Sequence, residues 1–194
     1  MTEDFVNSYI LIINFIGFIA YGINTLLYRY TRNMQIDSIL TLLSLFGGSL
    51  GIILSIILFD RKAEKENMMS RVFVGCIFVI QIVMYFMIKN GMLDELNFPF
   101  IAFFEQHIIL IWYIVLINIV TFIVYAIDKY NAVNRKSRIR IVTLLLLAFF
   151  GGTIGGLSSM YLFRHKTLTD YFTVGLPLMM VMQGFLLVYF MNLC

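Results

Sequence analysis

Six long apolar stretches without a charged residue alternate with short polar segments along the chain. They cover residues 5–28, 38–59, 72–88, 108–127, 141–163 and 171–194. A helix needs about 20 apolar residues to cross the roughly 30 Å of hydrocarbon in a bilayer. Backbone amides in lipid must pair within their own segment, which favours helices. The pattern therefore predicts an all-α integral membrane protein with six transmembrane helices.

The second half of the chain repeats the first at an offset of 104 residues. Comparing 14–87 with 118–191 without a gap gives 19 identities in 74 positions, where chance matching of so apolar a composition would give roughly 6. Each copy holds three stretches, and three is odd, so the second copy is expected to enter the membrane upside down. We therefore predict two inverted three-helix repeats, 1–89 and 108–194, joined by a linker over 90–107.

The composition excludes a soluble domain. Hydrophobic residues make up 61% of the chain and charged residues 13%, whereas a soluble domain carries about 25% charge. The net charge of +3 does not indicate nucleic-acid binding, because Lys and Arg lie in loops beside the apolar stretches. The expected partner is the lipid bilayer, with a homo-oligomer or a membrane partner protein as further candidates.

The distribution of Lys and Arg predicts an orientation. With six crossings, one side of the membrane carries nine of these residues and the other side five. Because the richer side is expected inside the cell, this count predicts a multi-pass cell-membrane protein with both termini cytoplasmic. The linker contains four phenylalanines, which favour either a short amphipathic interfacial helix or an ordinary loop.

Glycine clusters lie at matching places in the second and fifth stretches, and matching polar residues lie in the first and fourth. Glycines four apart let two helix backbones approach closely; the alternative is that each cluster breaks its helix beside a solute pathway. The polar side chains likewise indicate interhelical hydrogen bonds or a polar lining. The residues of this candidate seam and pathway are Asn14, Tyr21, Gly47, Gly48, Ser49, Gly51, Asn118, Tyr125, Gly151, Gly152, Thr153 and Gly155.

A second group of candidate residues is charged and is largely absent from the first half. It consists of Asp128, Lys129, Arg138, Arg164, His165 and Lys166. If the fifth stretch crosses the membrane, Asp128 and His165 lie on opposite sides and share no active centre. Nothing near His165 completes a metal coordination shell, the two cysteines are isolated, and no cofactor fingerprint is present. We therefore expect no metal, no cofactor and no catalytic residue.

Several of these residues carry a family resemblance. The ordered set is Asn118, Tyr125-Ala126-Ile127-Asp128-Lys129, Gly151-Gly152 and Arg164-His165-Lys166-Thr167. It is similar to the pattern of the bacterial membrane family called domain of unknown function 1294, over residues 118–192. The resemblance implies a membrane location and assigns no reaction. In the first half, Asn24-Thr25 replaces the Asp-Lys pair and Arg61 replaces the histidine, which indicates a diverged copy.

Three functions remain open from the sequence. The first is a channel or transporter for an ion or small solute, with its pathway at the repeat interface, which the paired glycines and asparagines favour. The alternative is a non-transporting membrane subunit, immunity factor or scaffold, since helices rich in Met and Phe suit packing with a partner. A lipid-acting membrane enzyme comes third, because no serine or cysteine has an adjacent base.

Overall fold

Ten α-helices and no strand make up the described part of the chain. The computed structural model describes residues 2–31, 37–60, 67–93 and 96–193. The helices are α1 Thr2–Thr31, α2 Asp37–Leu43, α3 Ser49–Phe59, α4 Met68–Lys89, α5 Phe100–Gln106, α6 Ile108–Val133, α7 Ile141–Leu147, α8 Thr153–Leu162, α9 Asp170–Thr173 and α10 Gly175–Leu193. The basic loop segments at 32–36 and 61–66, which entered the orientation count, lie outside the described residues.

The all-helical fold predicted from the sequence is confirmed. Six helical segments among the described residues are long and apolar enough to cross a membrane, namely Asn7–Tyr28, Ile39–Phe59, Met68–Lys89, Ile108–Val133, Ile141–Leu162 and Asp170–Leu193. The second and the fifth of these segments are interrupted by turns at Ser44–Gly48 and Ala148–Gly152.

The contacts of α6 show that the fifth segment reverses direction. Near the start of α6, the Tyr113 hydroxyl donates to the carbonyl of Phe150 in the turn. Near the end of α6, Asp128 contacts both Ile139, which precedes α7, and His165, which follows α8. A straight helix of 22 residues would hold its two ends about 33 Å apart. The segment therefore folds back as a helical hairpin, and both of its ends lie at the same end of α6.

The reversal occurs at a glycine in each unit. Gly151 has φ +117° and Gly47 has φ +107°, a backbone conformation that L-residues with a side chain rarely adopt. Helical angles resume two residues later, at Thr153 (φ −62°, ψ −41°) and at Ser49 (φ −61°, ψ −39°). Glycine at these two positions lets the chain turn back within the apolar region.

The second segment of the chain forms a matching hairpin. The Tyr9 hydroxyl donates to the carbonyl of Phe46 in the turn at 2.9 Å, and the Tyr21 hydroxyl donates to the carboxylate of Asp60, after α3, at 2.8 Å. Helix α3 therefore runs parallel to α1. Leu40 of α2 packs in the same buried cluster as Tyr21, so both halves of the hairpin end at the same end of α1.

The chain divides into two compact units, Met1–Ile82 and Val83–Cys194, and the division falls within α4. In the second unit, α10 runs from the hairpin ends back to the linker, where Asn192 exchanges two hydrogen bonds with the backbone of Asn97 at 2.9 and 3.0 Å. The linker contains a helix, α5, with Phe103 buried. The inverted relation of the two repeats stays a prediction.

Candidate functional site

The turn of the second hairpin frees backbone carbonyl groups that a continuous helix would have paired. Gln183 of α10 donates to the carbonyls of Ala148 and Phe149 at 2.8 and 3.1 Å, and its oxygen accepts from the hydroxyl of Thr153 at 2.7 Å. An unpaired carbonyl in an apolar environment costs several kcal/mol, roughly 2–7. The side-chain amide of Gln183 therefore stabilises the turn through both its nitrogen and its oxygen.

Asn118 and Tyr113 bind the same turn from α6. The Asn118 nitrogen donates to the carbonyl of Gly151 at 2.9 Å, and its oxygen accepts from the backbone amide of Gly155 at 2.8 Å. The Tyr113 hydroxyl donates to the carbonyl of Phe150 at 2.6 Å. The carbonyls of the four turn residues before Gly152 therefore all receive side-chain donors, which satisfies the demand of buried backbone for hydrogen bonds.

The first hairpin is closed by the same kinds of side chain. Its polar groups pair as Gln81 with the carbonyls of Ser44 and Leu45 and with the hydroxyl of Ser49, Tyr9 with the carbonyl of Phe46, and Asn14 with the amide of Gly51. Each unit thus uses one glutamine, one tyrosine and one asparagine to bind the backbone at its turn. Their polarity serves the backbone, and this accounts for polar side chains deep in apolar helices.

The glycines of the candidate seam lie where two helix backbones nearly touch. A Cβ at Gly155 would lie 2.0 Å from the carbonyl oxygen of Asn118, and a Cβ at Gly51 would lie 1.8 Å from the carbonyl oxygen of Asn14. A Cβ at Gly48 would lie 3.0 Å from the carbonyl oxygen of Ile13 in α1. At Gly152 the obstructing atom is instead a side-chain atom, the Thr121 hydroxyl oxygen, at 2.0 Å. Helices α1 and α3, and helices α6 and α8, therefore pack backbone against backbone, as small residues permit in membrane proteins.

Asp128 binds both ends of the second hairpin. Its side chain is fully buried, one oxygen accepts from the backbone amide of Ile139 at 2.8 Å, and the other lies 2.7 Å from the Lys166 ammonium and 3.0 Å from His165 Nε2. A buried carboxylate is stable only with such partners. Asp128 thus ties the segment before α7 to the loop after α8. We call Asp128, Ile139, His165 and Lys166 the hairpin clamp.

The expectation that Asp128 and His165 lie on opposite sides of the membrane is wrong. It assumed a straight fifth helix, whereas Gly151 reverses that segment and returns His165 to the level of Asp128. An acid and an imidazole therefore do share one site. Among the described residues, no group of three or more His, Cys, Asp or Glu side chains is placed to hold a metal.

Lys166 and Tyr125 extend the hairpin clamp towards α9. The Lys166 ammonium lies 4.7 Å from the centre of the Phe172 ring, and the Tyr125 ring meets Phe172 edge-on at 5.8 Å. The Tyr125 hydroxyl donates to the carbonyl of Leu144 in α7 at 3.3 Å. The lysine ammonium group is therefore held between a carboxylate and an aromatic face, both of which attract a cation.

The other predicted charged residues lie outside the hairpin clamp. Lys129 is half-buried, and Arg138 and Arg164 are exposed. Within the described part of the chain, none of the three pairs with Asp128, whose partners are Ile139 and the two residues after Arg164. The structure thus separates the charged candidates into a buried cluster and an exposed cationic group.

The first unit ties its hairpin with different residues. Asp60, directly after α3, accepts from Tyr21 and Asn67 at 2.8 Å each and lies 3.1 Å from the guanidinium of Arg71 in α4. Here the acid comes from the end of the hairpin and the cation from the third helix. Because the ungapped comparison places Asn24 opposite Asp128, this substitute carboxylate is not apparent from the sequence repeat.

Sequence reasoning found the asparagines that bind the two turns but missed the glutamines and the tyrosines that help to close them. Gln81 and Gln183 have equivalent partners but are 102 residues apart, so the ungapped offset of 104 does not align them. Tyr9 and Tyr113 do align at 104, but they precede the compared range. A one-gap comparison that allowed a two-residue deletion in the third helix would have paired the glutamines.

The similarity to known proteins includes the second hairpin and its clamp. Residues 118–172 match the family described as protein of unknown function (DUF1294); they begin at Asn118 and end at Phe172, and so contain the whole of the second hairpin and its clamp. The uncharacterized protein YsdA of Bacillus subtilis (strain 168) is 41% identical over 75 residues, which cover 39% of this chain and 84% of that protein. No solved structure matches the chain. The chain thus belongs to the DUF1294 family, whose members are described as proteins of unknown function.

Proposed function

We propose that the chain crosses the membrane four times, twice in each unit, and that each hairpin enters and leaves the bilayer on one side. Support comes from the hairpin clamp, where Asp128 meets residues that precede α7 and follow α8. A segment with both ends on one side adds no crossing. Such re-entrant backbone is tolerated in membranes when it is packed within protein and its polar groups are paired.

Four crossings sort the basic residues far more sharply than six. Thirteen of the fourteen Lys and Arg residues then fall in the segments beside the hairpin ends, and Lys89 alone falls on the other side; six crossings give nine and five. The positive-inside rule therefore favours hairpin ends in the cytoplasm and both chain termini outside it. This proposal replaces the expectation of cytoplasmic termini, and since two crossings per unit is an even number, the parity argument for an inverted repeat no longer applies.

We further infer that the protein is a non-transporting membrane component that presents a cationic surface to a partner at the cytoplasmic side. One observation carries this inference: the side-chain amides at membrane depth are engaged in closing the hairpins, as Asn118 and Gln183 illustrate. A pathway needs polar groups that are available to a solute. The available charged groups lie instead at the hairpin ends.

A channel or transporter is the second candidate function. It is favoured by the hairpins themselves, because discontinuous helices at membrane depth are typical of proteins that move ions and small solutes. Against it, the space beside the seam glycines is occupied by the backbone of the neighbouring helix, as at Gly51 and Gly155. The lipid-acting enzyme regains geometric support from the 3.0 Å contact between Asp128 and His165, but the carboxylate is fully buried and all its partners are internal.

A paired experiment separates these functions. The purified full chain is reconstituted in liposomes, and fluxes of a monovalent cation, a monovalent anion and a neutral polyol are compared with those of protein-free liposomes. We expect no added flux for any of the three solutes. Flux that a Gly155→Ala variant abolishes would contradict the non-transporting role and support the second candidate. In the same preparation, protease protection of terminal tags reports on which side the termini lie.

A further inference from the structure

A group of exposed cations surrounds the hairpin clamp of the second unit. Its members, which we call the basic face, are Arg135, Lys136, Arg138, Arg140 and Arg164. Four of them lie between α6 and α7, and the fifth, Arg164, lies in the loop after α8. These two loops are distant in sequence but are drawn together because Asp128 binds Ile139 in one and His165 in the other.

The basic face carries an unbalanced positive charge. Within the described residues, none of its five side chains forms an ion pair or a hydrogen bond with a carboxylate. Asp128 is fully buried and is already paired with Lys166 and His165. The one exposed acid beside these loops, Asp170 at the start of α9, leaves the five cations in excess. Lys136 lies over the ring of Tyr130 at 5.4 Å, a contact that leaves its charge in place. The face is therefore suited to an anionic ligand.

Two arginines of the basic face occupy backbone positions where glycine would be less costly. Arg135 has φ +53° and Arg164 has φ +44°, and each follows the end of a helix, where the next amide reaches back to the last turn. At the end of α4 the chain uses Gly91, with φ +65°, in the equivalent place. A cation near a helix C-terminus is favourable, and both arginines lie in tight turns at the C-terminal ends of α6 and α8.

Apolar and aromatic side chains set the depth of the basic face. Tyr130, Tyr161 and Leu162, on the helices that lead into the two loops, are 59%, 62% and 69% exposed, and Leu168 in the second loop is 97% exposed. Exposed tyrosines at the ends of membrane helices are typical of the headgroup region. The basic face therefore lies at the level of lipid headgroups, where the ligand of opposite charge is the phosphate of an anionic lipid.

We propose that the basic face binds the phosphate groups of anionic phospholipids in the adjoining leaflet. The planar guanidinium groups present paired N–H donors that match phosphate oxygens. This inference names the partner of the cationic surface in the proposed function and rests on that function for the choice of the cytoplasmic leaflet. Binding itself depends only on the second unit, in which all five residues lie.

Lipid retention measured by native mass spectrometry tests the proposal. The full chain in detergent is titrated with phosphatidylglycerol or with phosphatidylcholine, and the apparent affinities are compared among the wild type, an Arg138→Gln/Arg164→Gln double variant and a Lys89→Gln control. We expect the wild type to prefer the anionic lipid. Each basic residue near the surface contributes a factor of about five, so the double variant should lose roughly 25-fold, whereas the control should keep its preference.

The outcomes separate the possible errors. Equal affinities for the two lipids, or an equal loss in the Lys89→Gln control, would overturn the basic face as a lipid site. Retention of an RNA oligonucleotide in preference to phosphatidylglycerol would also overturn it. Circular dichroism of the double variant, expected to match the wild type, shows that the fold persists. Lipid binding measured in detergent does not depend on which side of a membrane the basic face occupies. The lipid proposal can therefore hold even if tags at the termini contradict the proposed topology, and the topology can hold even if the lipid proposal fails.

Discussion

Replacing Gly155 with alanine should loosen the contact between α6 and α8, because the added Cβ would lie 2.0 Å from the carbonyl oxygen of Asn118. Real Cβ atoms essentially never approach closer than 3.0 Å, so the helices must separate by about 1 Å in a close-packed interior. The obstructing atom belongs to the backbone, and no side-chain rotation can relieve it.

The expected cost can be estimated from three contributions. Overpacking costs about 3 kcal/mol at the upper end of its usual range, and stretching the hydrogen bond from the Gly155 amide to Asn118 Oδ1, now 2.8 Å, costs about 1 kcal/mol. Alanine in a helix interior recovers about 1 kcal/mol relative to glycine. The net loss in the free energy of unfolding is therefore about 3 kcal/mol.

Thermal unfolding followed by circular dichroism in detergent measures this loss. At roughly 2–4 °C per kcal/mol for a chain of this size, Gly155→Ala should lower Tm by about 6–12 °C. Gly184→Ala is the matched control, because its added Cβ meets no atom within 4 Å; it should keep or slightly raise Tm. Equal Tm values for the two variants would refute the backbone-to-backbone contact.

Four further substitutions probe the turn and the clamp, each by the same unfolding measurement. Gly151→Ala should lower the free energy of unfolding by about 1–2 kcal/mol, because φ is +117° there and a residue with a side chain is strained in that conformation. The added Cβ itself has room. A loss no greater than that of Gly184→Ala would contradict the reversal at this residue. Asp128→Ala should lower the free energy of unfolding by about 3–5 kcal/mol, because it removes the acceptor that binds both hairpin ends. His165→Ala should lower it by only about 1 kcal/mol, since Lys166 still balances the carboxylate. The opposite order would argue against the clamp. Gln183→Leu should lower the free energy of unfolding by about 2–3 kcal/mol, because two carbonyls would be left unpaired in an apolar environment. Wild-type stability in this variant would show that water reaches the turn.

Hydrophobic patterning predicted the helical membrane fold because each apolar stretch is long enough to cross a bilayer. It did not predict the hairpins, since length and hydropathy do not distinguish one straight helix from two short antiparallel ones. The decisive property is the backbone angle of a single residue, Gly151 or Gly47. A sequence with two adjacent glycines allows a left-handed residue but equally allows a close helix crossing.

The charged part of the site was found in the sequence, but its geometry was not. Asp128, His165 and Lys166 stood out as family-like residues, yet crossing parity separated them because the turn between them was not recognised. The partner Ile139 contributes only its backbone amide, so no side-chain motif could indicate it. In the first unit, Asp60 has the same role from another position in the chain. This replacement of one carboxylate by another can be recognised only from the packing of the helices.

The most direct measurement of the re-entrant hairpin is the sidedness of its two ends. Single cysteines are introduced as Ser137→Cys, before α7, and Leu168→Cys, after α8, in a background that carries Cys76→Ala and Cys194→Ala, and intact cells are treated with a membrane-impermeant thiol reagent. Our account predicts that both cysteines lie on the same side, opposite to a third cysteine introduced as Asn97→Cys in the linker. Labelling of the 137 and 168 sites from opposite sides would mean that the segment between them crosses the membrane, and would contradict the hairpin.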